Sequence, residues 1–134
     1  MDWNQWAADT VRVAQGHAGE TRVRQRFIRK KIDHMQVDLL FKLNGHWNLA
    51  EIKNQERFID PDGHGLPLWQ VEKRMEFFKD TGIPPWLIVV EQDGVGIFAQ
   101  RIDVLESKGR ALVTKKSKRV IYPLTSFFEL PGDE

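Results

Sequence analysis

The sequence predicts a mixed α/β fold, a central β-sheet flanked by helices. Three features predict it. Two apolar-rich runs, MQVDLLFKL and HWNLAEIKN, are joined by Asn44-Gly45; an amphipathic segment covers residues 67–80; and an apolar run, PWLIVVEQ, follows directly. Asn-Gly between such runs is a strong hairpin signal, because a type I′ turn needs positive φ at both central residues. Extended and helical patterns in one chain point to a sheet with helices packed on it.

Residues 2–15 read as an amphipathic helix, with Trp3, Trp6, Ala7, Thr10, Val11 and Ala14 at helical spacing and Gly16 as a stop. Residues 20–31 admit two readings. Val23 and Phe27 stand four apart, as on a helix, yet Arg22 to Phe27 alternate as on a strand, and a strand is the expectation. The hairpin fills residues 35–54. The segment 55–66, QERFIDPDGHGL, reads as a loop because of Pro61, Gly63 and Gly65. Pro67 suits the first turn of the next helix, Val71, Arg74, Met75 and Phe78 line one side of it, and Gly82 with Pro84-Pro85 ends it. PWLIVVEQ is a buried strand, Asp93-Gly94 a turn, GIFAQRI and RVIYPL further strands, and TSFFEL a short final segment. With 134 residues and no linker composition, residues 1–134 are expected to form one domain.

Composition narrows the classes of function. No apolar run approaches the roughly 18 residues of a membrane span, and MDWNQWAADT lacks the apolar core of a secretion signal. The absence of cysteine removes disulfides and thiolate metal sites. A cytoplasmic, intracellular setting fits these features. The net charge of +1 conceals strong segregation. Arg22, Arg24, Arg26, Arg29, Lys30 and Lys31 form one cluster without an acid, and Lys108, Arg110, Lys115, Lys116, Lys118 and Arg119 form another. Such clusters on an otherwise acidic chain suit phosphate binding, hence a nucleic-acid partner.

The hairpin also gathers chemistry. Counting outward from a two-residue turn brings Asp38 opposite Glu51 on one face of the sheet. Lys53, two residues on, points to the same face. Charge within VDLLF and LAEIK is costly unless paired or used. Two opposed carboxylates call for a cation, which Lys53 supplies in part and a divalent metal such as Mg²⁺ or Mn²⁺ would supply further. Asp93 and Glu106-Ser107-Lys108 repeat the same spacing, but in a turn and an expected polar loop, with no hairpin register. The four histidines, His17, His34, His46 and His64, show no ligand spacing and are expected at the surface. The five tryptophans are expected mostly in the core, with Trp47 or Trp69 nearer the active face.

Asp38 followed by Glu51-Ile52-Lys53 resembles the D-(x)n-E-x-K signature of the PD-(D/E)XK nuclease superfamily, with Val37 where the signature often has proline. The helix from Gln70-Val71-Glu72-Lys73 to Phe77-Phe78, then Gly82 and WLIVV, is similar to the archaeal-type Holliday-junction resolvases over roughly residues 36–91. The resemblance implies a restriction-endonuclease-like αβββαβ core. It also implies that Asp38, Glu51 and the Ile52 carbonyl hold Mg²⁺ (or Mn²⁺), that Lys53 acts on the attacking water, and that Gln70 contacts a ligand water. Resolvases of this type add a glutamate from the first helix. Glu20 is the candidate, though expected in a loop. The function so implied is Mg²⁺-dependent endonucleolytic hydrolysis of DNA, selective for branched structures. A domain this small is expected to cut two strands only as a homodimer, with two sites related by two-fold symmetry. The tail residues Ile121, Tyr122, Phe127 and Phe128 offer apolar surface for it, although most of them are expected to be buried in the core. The alternatives are a general, restriction-type or phage-type nuclease of the same fold, or a nucleic-acid-binding module that does not cleave.

Overall fold

A computed structural model describes residues 18–59, 62–91, 96–114 and 118–131. The helix expected over residues 2–15, the Asp93-Gly94 turn, and Lys115 and Lys116 lie outside the described residues. The chain divides into two compact units, residues 1–36 and 37–134.

In the first unit residues 18–29 are helical (α1), which corrects the strand expected over residues 20–31. Arginine, glutamine and glutamate are good helix formers, and Val23–Phe27 supply the four-residue apolar spacing. The helix ends in a paired-bond cap. Lys31 adopts φ 56°, its N–H donates to the Ile28 carbonyl, and the Ile32 N–H donates to that of Phe27. Glu20 is therefore helical, not in a loop.

In the second unit β1 (Leu39–Leu43) and β2 (His46–Gln55) form the expected hairpin. Asn44 and Gly45 both have positive φ, 51° and 79°. The register runs from Leu43 opposite His46 to Leu39 opposite Ala50, as counting from the turn requires. Residues 55–66 are not the expected loop, because β3 (Phe58–Ile59) and β4 (Asp62–Pro67) lie there. Gly63 and Gly65 pack onto a later strand, β8 (Lys118–Pro123). A Cβ on them would fall 1.9 Å from the Tyr122 carbonyl oxygen and 1.7 Å from that of Val120. These glycines permit close strand approach rather than marking a loop.

Pro67 precedes α2 (Leu68–Thr81), and Gly82 closes it with φ 74°. Then come β5 (Pro85–Glu91), β6 (Ile97–Arg101), α3 (Ile102–Lys108) and β7 (Ala111–Thr114). A 3₁₀ turn at Leu124–Ser126 and β9 (Phe128–Glu129) follow β8. One sheet has the order β1-β2-β5-β6-β9, the other β3-β4-β8-β7. The first is mixed, since β2 and β5 pair in parallel and the rest antiparallel. A parallel pair needs a long crossover, here β3, β4 and α2. The core joins Leu66 of β4, Val71 of α2, Leu87 and Val89 of β5, Ile102 and Leu105 of α3, and Val120 and Tyr122 of β8. Burial of Ile121 and Tyr122 takes both out of any outer apolar surface, while Phe128 is exposed. No helix among the described residues is long and apolar enough to cross a membrane.

Candidate active site

The parallel register sets Glu51 beside Leu87 and Lys53 beside Val89. Neighbouring residues in a sheet share a face, so both side chains project to the side of β5 that builds the core. Glu51 is only 8% exposed. Its Oε1 lies 3.2 Å from Lys53 Nζ, and its Oε2 accepts a hydrogen bond from Arg74 on α2. Arg74 is itself buried. A carboxylate so placed survives burial through charge-assisted bonds from two cations.

Asp38 stands just before β1, and its Oδ2 accepts a hydrogen bond from the Ile52 N–H at 2.9 Å. The β1–β2 ladder ends at Leu39 and Ala50, so Asp38 occupies the edge where the next pairing would fall. The N–H and C=O of one strand residue point to the same edge. The Ile52 carbonyl thus opens on the Asp38 side, while its side chain lies on the opposite face from Glu51. Among the expected residues, Asp38, Ile52, Glu51 and Lys53 are brought together.

Gln70 lies one helical turn before Arg74 and so on the same side of α2. Its Oε1 is buried with no hydrogen-bond partner among the described residues. Two carboxylates, a main-chain carbonyl and this amide oxygen are hard donors. That chemistry fits Mg²⁺ or Mn²⁺, which bind through few carboxylates and retain water. No group of three or more His, Cys, Asp or Glu suited to a metal occurs among the described residues. A metal here would depend on the pair Asp38 and Glu51.

An open groove of about 650 Å³ begins at Lys53 and runs past Glu56 and Phe58 to Arg119. Among the described residues, Arg119 is the one expected basic-cluster residue that lines this groove. Lys118 is exposed. In the first unit Arg22, Arg26, Arg29, Lys30 and Lys31 are exposed, whereas Arg24 donates to Thr21 and Gln36. Trp47 and Trp69, the two tryptophans set apart from the expected core, are exposed. In the repeated motif, Glu106 is helical rather than in a loop. It accepts a hydrogen bond from Tyr122 Oη at 3.1 Å, and burial, aided by Glu106, pushes the Tyr122 phenol well above its usual range.

A second carboxylate cluster was not foreseen. His64, expected at the surface, is 0% exposed. Its Nε2 lies 2.9 Å from Glu91 Oε1 and its Nδ1 3.1 Å from Gln55 Oε1. Arg57 Nε donates to the same Glu91 oxygen at 2.8 Å. Burial works to raise the Glu91 carboxyl, but Arg57 and His64 outweigh it and hold it below its ordinary value. For Arg74 the sequence did contain a signal, a charged residue within the apolar stripe of a helix. For His64 none existed, because its burial depends on β8.

No protein-family model matches this chain, and no curated protein matches it in sequence. Among solved structures it is similar to a Holliday junction resolvase from the archaeal hyperthermophile Archaeoglobus fulgidus, with a TM-score of 0.45 and 12% sequence identity. The match covers 68% of this chain and 66%, just under two thirds, of that one. The mixed α/β architecture itself stands on the strand pairing described above.

Proposed function

We propose that this chain is a metal-dependent nuclease of the PD-(D/E)XK type that hydrolyses DNA phosphodiester bonds. The observation that carries this reading is the convergence of Asp38, the Ile52 main chain, Glu51 and Lys53 at one strand edge, with Lys53 also lining a groove that contains Arg119. Asp38, Glu51 and the Ile52 carbonyl would hold Mg²⁺ (or Mn²⁺). When bound, such an ion supplies a water of lowered pKa and charge neutralisation at phosphate. Lys53 carries a cation at the groove wall, suited to orient a water and to offset charge developing on the phosphoryl oxygens. Arg74 keeps the Glu51 carboxylate in a fixed orientation from below. Gln70 presents an oxygen on the same side of α2. Selectivity for branched DNA would come from backbone shape rather than base edges. A homodimer would set two such sites on opposed strands by two-fold symmetry.

One observation favours a second reading, a nucleic-acid-binding module that does not cleave. Both oxygens of Glu51 are already engaged by cations of the chain itself. Digestion of branched, linear duplex and single-stranded DNA in Mg²⁺, Mn²⁺ or EDTA separates the two. The nuclease reading expects cutting that EDTA abolishes, fastest on branched DNA. Binding without cutting in any metal would establish the module instead.

A further inference from the structure

We infer that the groove beside Lys53 seats an unpaired stretch of DNA by stacking, so that the substrate carries single-stranded nucleotides at the cutting site; as a statement about substrate this rests on the nuclease reading. The groove's volume, about 650 Å³, lies in the range of sites that hold a nucleotide-sized ligand. Its charges are nearly balanced. Lys53 is paired with Glu51, and Glu56 is the acid that lines the groove with Arg119. Attraction for a phosphate backbone alone is therefore weak. What the groove does offer is a cation–π pair. The Arg119 guanidinium, from β8, lies over the Phe58 ring, from β3, at 5.8 Å from the ring centre.

A guanidinium and an aromatic ring each present a π-face on which a base can lie, with little dependence on sequence. Inside a duplex those faces are covered by neighbouring bases. Only an unstacked base reaches such a platform, so the pair selects for single-stranded character. The balanced charge carries a consequence of its own. Binding in this groove depends only weakly on salt, in contrast to the steep dependence of proteins that neutralise many phosphates.

The test uses the full chain in EDTA, so that no cutting intervenes. The probes are a single-stranded deoxyoligonucleotide with 2-aminopurine at its centre and the same strand in duplex. Binding of the single strand quenches the 2-aminopurine fluorescence. Phe58→Leu and Arg119→Lys, which keep apolarity and charge respectively, each weaken single-strand binding by about tenfold and remove the quench, with melting temperatures as in the parent. Equal affinity for duplex and single strand, or an unchanged quench in both variants, overturns the stacking site. The two readings fail separately. A normal quench without Mg²⁺-dependent cutting rejects the nuclease and leaves the stacking groove. Cutting without a quench does the reverse.

Discussion

Glu51 and Glu91 make an instructive pair. Each is 8% exposed, each projects from one of two adjacent parallel strands, and each is met by two basic side chains. Their surroundings differ. Around Glu91 the bonds close on themselves. Its partner His64 bonds Gln55, and the Gln55 amide is oriented by both the N–H and the carbonyl of Gly65. That network ties β2 and β5 of one sheet to β4 of the other. Around Glu51 the cations come from β2 and α2, while Asp38 is exposed beside Ile52 and Lys53 lines an open groove. Burying a charge is expensive in either place. A closed network spends that cost on joining sheets, whereas an open one keeps a carboxylate available for chemistry.

This contrast is broken most strongly at Glu51. Glu51→Gln and Lys53→Ala are each expected to reduce the cleavage rate on the order of a thousandfold or more, with circular dichroism unchanged. Cutting at the parental rate by either purified variant would remove them from the reaction centre. The opposite pattern is expected at the closed cluster. His64→Ala should cost about 3 kcal/mol of stability in urea titrations, as for other broken buried pairs. The pH dependence follows from Glu91, whose carboxyl is depressed in the folded protein. Its contribution is fully present above the ordinary carboxylate range and is lost as pH falls through the lower folded value. Stability measured downward from pH 6 should therefore fall more in the parent than in Glu91→Gln. Equal slopes would show that the cluster does not link protons to folding.

Arg74 sharpens the comparison, because a metal and this arginine both serve Glu51. Arg74→Gln is expected to lower the melting temperature of the metal-free protein, and Mn²⁺ should restore more of it than Mn²⁺ adds to the parent. If Mn²⁺ shifts both proteins equally, Arg74 and the ion do not share the carboxylate. The smallest effect is expected at the repeated motif. Glu106→Gln should leave cutting within about twofold of the parent, since Glu106, on α3 rather than at a strand edge, serves Tyr122 and Arg110. A large loss there would place chemistry at the wrong motif.

Much of the fold, and the placement of Asp38 beside the strand that carries Glu51 and Lys53, is legible in the sequence. The β1–β2 register, the meeting of Asp38 with the strand that carries Glu51 and Lys53, and the helix before β5 are set by local rules: turn φ values, two-residue alternation and four-residue spacing. These depend on neighbours a few residues away. Residues 20–31 carried both periodicities at once, so their pattern alone did not separate α1 from a strand. The remainder required distant partners. Gly63 and Gly65 look like loop residues until β8 lies against them. His64 looks like a surface residue until Glu91, 27 positions later, closes over it. Arg74 meets Glu51 across 23 positions, and Arg119 meets Phe58 only because β8 returns to β4. Sequence periodicity records which face a residue occupies. Only packing decides what stands opposite that face, because the partner is chosen by the burial of the whole core rather than by any local preference.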